Sequence, residues 1–493
     1  MGMDIMTEDT RVLQPVRFPR HERHGLFMGL QWYQLSLVAL GMLIAALSSA
    51  TGGPIAFILT APAWLGIMLF GVLQYARIPY PVWALTASIF FLRSVLNETR
   101  YLARPEAPKK VGTMALPGGL GSLELCKTVS GEGFVLDRNG HEAMVSLRCT
   151  TTSFALMDND DKAFAVQSWS RVQAAMARRP AIARIAIQDY TVPYPSSALR
   201  AYYERAVPPE RITDAQWGDA SYLDLIEAAG SAMSHEIIMT IVLDTAKAHR
   251  RIKDAGGAMA GLEHVLRSEV EAFSTGLKTH GVTVTEWLSD TAVTAVVRGS
   301  FDPETVAKWA AATSAGKSKT VVSPGPMATE EHWTYLRTDS GFHQTFWVAE
   351  WPRQQVYPGF LQPLIYVGEF RHIISQVIRA VPTDQALRDI RSAQEAHETR
   401  RRINARLDRP LTREQRAEED EVAQREEEIV AGHGDVRPAA YVTITAASLD
   451  ELSRCRQELE SAAAGAFVEL RLMAGQQWPA FIAGALPLGR GLK

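Results

Sequence analysis

Hydrophobic positions are unevenly spread along the chain. Residues 32–50 (WYQLSLVALGMLIAALSSA) and 55–75 (IAFILTAPAWLGIMLFGVLQY) are uncharged, largely apolar runs joined by Thr51-Gly52-Gly53-Pro54. Each is about as long as the ~20 residues a helix needs to cross a bilayer. The pattern predicts a transmembrane helical hairpin. No compact cleavage site follows the first run and a second begins at once, which argues against a signal peptide. Arg11, Arg17, Arg20 and Arg23 precede the pair, Arg77, Arg93, Arg100 and Arg104 follow it, and the turn is uncharged. Basic flanks stay on the cytoplasmic side, so both termini are expected there, in a multi-pass inner-membrane protein. A third apolar run, residues 82–92, is too short to span and reads as an interfacial helix.

Past this region the periodicity becomes that of an α+β protein. Residues 104–122 are rich in Pro and Gly and read as a linker. Two strands, 133–136 and 143–149, flank Asp137-Arg138-Asn139-Gly140, where Asn-Gly is expected to supply the positive φ angles of a tight hairpin. Asp158 or Asn159 is placed to cap a helix carrying Phe164, Val166, Trp169, Val172 and Met176. Strands at 182–187 and 237–243, a helix at 262–278 and a strand at 282–287 follow. The later part repeats the mixture, with strands at 342–351 and 373–381 and a β-α-β unit over 441–473 whose helix opens on a Ser448–Glu451 capping box. Between them, residues 383–430 are heavily charged and carry no strand signal. Pro410 separates two helical runs, with Thr412 and Gln415 as a cap and a sparse stripe of Ile390, Ala393, Ala396, Ile403 and Leu407. This predicts a protruding αα-hairpin.

The expected organisation is a cytoplasmic tail (1–24), the membrane hairpin with its interfacial helix (25–103), the linker (104–122), and two α+β lobes. The lobes cover 123–320 and 321–493, both with mixed sheets, and the second carries the arm 383–430.

Composition changes this picture little. Lys plus Arg is 51 against 54 for Asp plus Glu over 493 residues, which offers no chain-wide reason for direct nucleic-acid binding. Three dispersed cysteines, Cys126, Cys149 and Cys455, form no CxxC pair and suit a reducing compartment. Candidate chemistry is sparse. Residues 311–318 (AATSAGKS) end like a phosphate-binding loop, but Ala311 holds the first glycine position and a predicted helix, not a strand, precedes it. Asp158-Asn159-Asp160-Asp161 lacks the glycine and closing glutamate of a calcium loop. His235-Glu236 lacks the second histidine of a zinc-protease helix. No GxSxG elbow exists. No catalytic, cofactor-binding or metal-ligating residue is therefore assigned, and the protein is expected not to be an enzyme.

Three later stretches carry a resemblance: Val348-Ala349-Glu350-Trp351-Pro352-Arg353, then residues 425–433 (REEEIVAGH), then Gly475-Gln476-Gln477 with residues 485–492 (ALPLGRGL). Placed after an apolar hairpin, they resemble a family of actinobacterial membrane proteins of type IV secretion and conjugation. In that family a PrgI-like double span precedes a region like the amino-terminal, non-ATPase part of conjugation ATPases. The resemblance implies a non-catalytic scaffold that docks a separate P-loop ATPase and contacts other channel subunits and the lipid bilayer. Because the given chain ends at Lys493, ATP hydrolysis is expected from another chain. Self-association, a scaffold of another export system such as type VII, and a membrane-tethered enzyme with an unrecognised site stay open at this stage.

Overall fold

The computed structural model describes residues 30–75, 78–103, 112–151, 154–195, 200, 203–204, 206–207, 217–228, 231–279, 281–305, 323–406, 410–430 and 434–491. These fall into two compact units that divide between Arg100 and Tyr101.

The first unit is helical. Helix α1 (Trp32–Leu59) is long and apolar enough to cross a membrane, and α2 (Ala61–Val72) is apolar but shorter. Gly53, at φ +64°, interrupts α1 just before Pro54. Glycine is the residue that takes this left-handed conformation without strain, so the break falls within the predicted turn. The chain reverses there and α2 packs back on α1. Gly71 approaches Leu37, Gly41 approaches Met68 and the Trp64 carbonyl, and Gln34 donates to the Gly71 carbonyl at 2.9 Å. Leu43, Leu47, Ile55, Ile58 and Leu59 are exposed. Helix α3 (Tyr80–Val95) contains the predicted short apolar run and buries none of its residues.

The second unit is built on one large sheet. Its strands are β1 (Glu124–Lys127), β2 (Gly133–Asp137), β3 (Glu142–Thr151), β4 (Ile182–Pro195), β5 (Ser231–Asp244), β6 (Val282–Trp287), β7 (Ala328–Glu331), β8 (Leu336–Arg337), β9 (Phe342–Glu350), β10 (Arg371–Val381), β11 (Asp435–Ala446) and β12 (Glu469–Leu472). They lie in the order β7-β8-β9-β11-β10-β4-β5-β3-β2-β1, with β12 also on β9 and β6 also on β3. Among the described residues every pairing of these strands is antiparallel, which corrects the expected mixed sheets. The expected lobes also share this sheet: β4 and β10 pair from Thr191 opposite His372 to Ile185 opposite Ile378.

The strand order contains a repeat. In the earlier half β6-β3-β5-β4 lie side by side, and in the later half β12-β9-β11-β10 do. Helix α4 (Asn159–Ala177) links β3 to β4, and α5 (Ala258–Lys278) links β5 to β6. In the later half α9 (Leu449–Gly465) links β11 to β12, while only the short helical turn Gln362–Ile365 lies between β9 and β10. Each half thus has the β-α-β-β-α-β order of ferredoxin-like folds, its parallel pairs split by an antiparallel strand. Even the irregularities correspond: the β3–β6 register slips at Arg148/Cys149 and the β9–β12 register between Val348 and Glu350.

Strand alternation divides the core between two faces. Val145, Leu147, Ile185, Met239 and Ile241 face α4 and α5, and Phe346, Val442 and Ile444 face α9. Met144, Tyr190, Ile238, Val242 and Ile373 turn the other way, toward α6 (Asp290–Phe301) and α10 (Gln477–Ala485). Met114 and Leu116 are completely buried on this second face, so the described part of the predicted linker belongs to the core.

Local signals are partly redistributed. Asp137 does head the β2–β3 turn, accepting the Gly140 amide at 2.9 Å, but the positive φ falls on His141 rather than on Asn139 or Gly140. Asp158 occupies the N-cap of α4 without a side-chain cap bond. Ser448 caps α9, receiving the Glu451 amide at 3.2 Å, while Glu451 reaches the amide of Ala447, one residue before the position a capping box uses.

Candidate docking site

The strongly charged region between β10 and β11 folds as two antiparallel helices, α7 (Thr383–Arg406) and α8 (Arg413–Val430). The cap of α8 is the predicted one: the Gln415 amide donates to Thr412 Oγ1 at 3.2 Å and the Thr412 amide to Gln415 Oε1 at 3.1 Å. Among the described residues, only the root of the arm is anchored by apolar packing. Ala386 and Ile390 of α7 meet Val422 and Ile429 of α8 and Val381 of β10. The root also carries ion pairs to β11, Arg425–Asp435 at 2.6 Å and Arg437–Asp389 at 2.7 Å.

The predicted stripe fades along the arm. Ile390 is buried and Ala393 half-buried, but Ala396 and Ile403 are exposed; Leu407 lies outside the described residues. Beyond Ala393 the helices are tied by polar bridges, Gln394–Glu426 at 2.7 Å, Arg400–Glu418 at 3.0 Å, and Arg401–Glu419. The Arg401 guanidinium holds the Glu419 carboxyl below its ordinary range. Exposed pairs of this sort add little to stability. The distal arm therefore presents a charged surface on a scaffold fixed at one end.

The opposite situation holds at the centre of the second sheet face, where α10 and the strap that follows it are buried. Gln477 opens α10 by accepting the Thr345 amide at 2.9 Å and donating to the Met473 carbonyl at 2.9 Å. Pro479 lies in the first turn, where a missing amide costs nothing. Gly484 sits so close to the sheet that a Cβ would collide with the Thr443 hydroxyl. Ser375 donates to the Ala483 carbonyl at 2.9 Å, Tyr190 to that of Ala485 at 3.0 Å, and Gln188 to that of Leu486 at 3.1 Å. Arg184 clasps Glu142 with two bonds of 2.7 Å and reaches the Gly489 carbonyl, and Arg490 pairs with Asp137. The strap thus bonds β4 and, where Ser146 donates to the Pro487 carbonyl, β3 from the earlier half, and β11 from the later one, where Tyr441 donates to the Gly491 carbonyl at 2.8 Å, while α10 itself holds β10. Sequence reasoning noted residues 485–492 only as a resemblance; the polar side chains beneath them are too far away in the chain to be associated with them.

Other candidate residues are explained by packing. His343 is buried between Thr338 Oγ1 at 2.7 Å and Thr445 Oγ1 at 2.9 Å, and burial, with the nearby Arg371 charge, pushes it down to about 3. His235 lies in β5, which begins ahead of the predicted strand at 237–243, with Nδ1 at 3.2 Å from Asp189 and 3.1 Å from Thr191. Burial raises the Asp189 carboxyl despite that imidazole. Nearby, His372 directs both ring nitrogens at backbone carbonyls, Phe370 and Ile365, each at 3.0 Å, so neither faces a ligand. The Gly-Lys-Ser loop at 311–318 lies outside the described residues. Among the described residues no group of three or more His, Cys, Asp or Glu is arranged to hold a metal ion.

No protein-family model matches the chain, and no curated protein matches it.

Proposed function

We propose that this protein is a non-catalytic structural component of a type IV secretion or conjugation-like machine in the inner membrane, and that its charged arm docks a separate ATPase. The observation that carries this reading is the contrast within α7 and α8: the root is packed into the core, while the half beyond Ala393 contributes little burial and displays charge. Core formation explains the root and leaves the tip without a folding role.

The apolar unit supports a membrane anchor. Exposed Leu43, Leu47, Ile55 and Ile58 need a nonpolar surrounding, and close helix contact through Gly41 and Gly71 is the small-residue packing that membrane helices use. The reversal at Gly53 supports reading the anchor as a two-span hairpin, and the basic flanks support placing both termini in the cytoplasm.

Two measurements test this. Reporter fusions after Arg20 and after Ser122 are expected to give cytoplasmic signals, and an external signal after Ser122 overturns the topology. Replacing residues 394–420 with a short Gly/Ser linker retains Ala386, Ile390, Val422 and Ile429; the shortened protein should fold, reach the membrane and fail to retain the ATPase in pull-downs. Undiminished recovery of the ATPase removes the arm from the docking role.

A further inference from the structure

The charges on α8 are arranged against the helix's own electrostatics. Arg413 and Arg416 stand in the first turn beside Glu414, where a helix favours negative charge, and Glu426, Glu427 and Glu428 stand in the last, where it favours positive charge. Helix stability therefore does not account for the pattern. Pairing with α7 accounts for only part of it, because Glu418 and Glu426 turn inward to Arg400 and Gln394. Arg413, Arg416, Asp420, Ala423, Gln424, Glu427 and Glu428 are exposed. At spacings of three and four residues they form one outward stripe, basic at the tip and acidic at the root.

Such a stripe is complementary to itself when reversed. We propose that α8 pairs antiparallel with α8 of a second copy, so that Arg413 and Arg416 of each arm meet Glu427 and Glu428 of the other. A two-fold axis beside residue 422 sets Arg416 opposite Glu428 and Asp420 opposite Gln424, with the small Ala423 near the centre. Both charge clusters are satisfied at once, and the contact closes as a dimer, without leaving a free end for chain growth. An external acidic partner or an anionic lipid surface would use the tip alone and leave the acidic root unexplained. One helix face is small for a stable interface in solution. This inference therefore rests on the membrane-anchor reading, since tethering in one bilayer raises the local concentration of copies. The outer face of α7, with Arg391 and Arg402, remains available to the ATPase.

The test uses the full chain in detergent micelles and in nanodiscs holding two copies, followed by sedimentation velocity and by disulfide trapping through Ala423→Cys. The expected result is a dimer that weakens as salt rises, with cross-linking at Cys in place of Ala423. Arg413→Glu/Arg416→Glu alone and Glu427→Arg/Glu428→Arg alone should each weaken self-association by about tenfold or more. Mixing the two variants, or combining all four substitutions in one chain, should restore it, with unchanged thermal melting as the folding control. Association that is absent, indifferent to both reversals, or not restored by the swap overturns the proposal. So does a tip reversal that abolishes binding to phosphatidylserine vesicles or ATPase recovery while self-association is untouched. The scaffold reading fails separately, if the dimer behaves as described but no ATPase is recovered with it.

Discussion

Gln188, Ser375 and Gln477 at the centre of the sheet are polar and buried; Arg402, Asp420 and Glu427 on the arm are polar and exposed. The first group is hydrogen-bonded to backbone of α10, the strap or β9, which joins strands from both halves of the chain. The second group projects from helices whose buried stripe has already ended. Residue type alone does not separate the two regions. What separates them is the partner: a buried polar group must find one within the fold, because leaving it unpaired costs about 1–3 kcal/mol, whereas an exposed charge carries no such constraint. The centre is accordingly read as architecture and the arm as a surface for other molecules.

If that contrast is right, substitutions of equal chemical size should have very unequal effects. The largest is expected in α10, just before the strap. Phe481 is 1% exposed and packs on Phe301 with ring centroids 5.4 Å apart, so Phe481→Ala should lower unfolding stability by about 3–5 kcal/mol. Chemical denaturation of the detergent-solubilised protein measures this, and a loss below about 1 kcal/mol would mean that α10 is not part of the core.

A smaller effect comes from His343. Its folded pKa is about 3 against 6.5 for an unperturbed histidine, so below pH 6.5 the unfolded chain takes up a proton that the folded one does not. Stability should therefore fall as pH drops from about 6.5 toward 3, by up to about 1.4 kcal/mol per unit. His343→Gln should flatten that slope whatever it does to stability at neutral pH. Asp137 and Asp302 act lower on the scale. Burial opposes their ionisation, but hydrogen bonds outweigh it, from the Gly140 amide and Arg490 to Asp137 and from Ser340 and Thr305 to Asp302, and their carboxyls are held below the ordinary value. Their contribution is present at neutral pH and is lost only as pH falls through the folded values, below about 4.

The smallest effect is expected at the tip. Shortening the arm by residues 394–420 removes exposed ion pairs and none of the buried root, so the melting temperature should change little while partner recovery changes greatly. A large drop in melting temperature would place the distal arm with the core and erase the contrast.

The elements were more legible than their arrangement. Val282–Trp287 appears with the predicted bounds because its apolar and polar positions alternate between a glycine and a helix cap. The arm and the Thr412–Gln415 cap were equally local signals. Other features depended on residues remote in sequence. The β4–β10 pairing has no local signature, since neither strand states its partner. β4 continues to Pro195, past its apolar run, because β5 pairs with it that far. Met114 and Leu116 look like linker residues among their glycines and prolines, and only the assembled second face shows where they go. The strap is similar: residues 486–491 have no periodicity to read, and their role comes from carbonyls that meet side chains of three distant strands.

The comparison between the strap and the arm can be tested most directly by hydrogen–deuterium exchange on the full chain in nanodiscs, at a salt concentration high enough to hold copies apart. Amides of β4, β10 and α10 should exchange only through global unfolding, whereas those of α7 and α8 beyond Ala393 should exchange through local opening, orders of magnitude faster. Equal protection of the distal arm and the sheet would contradict the account, because it would make the arm part of the structural core instead of a surface held out for partners.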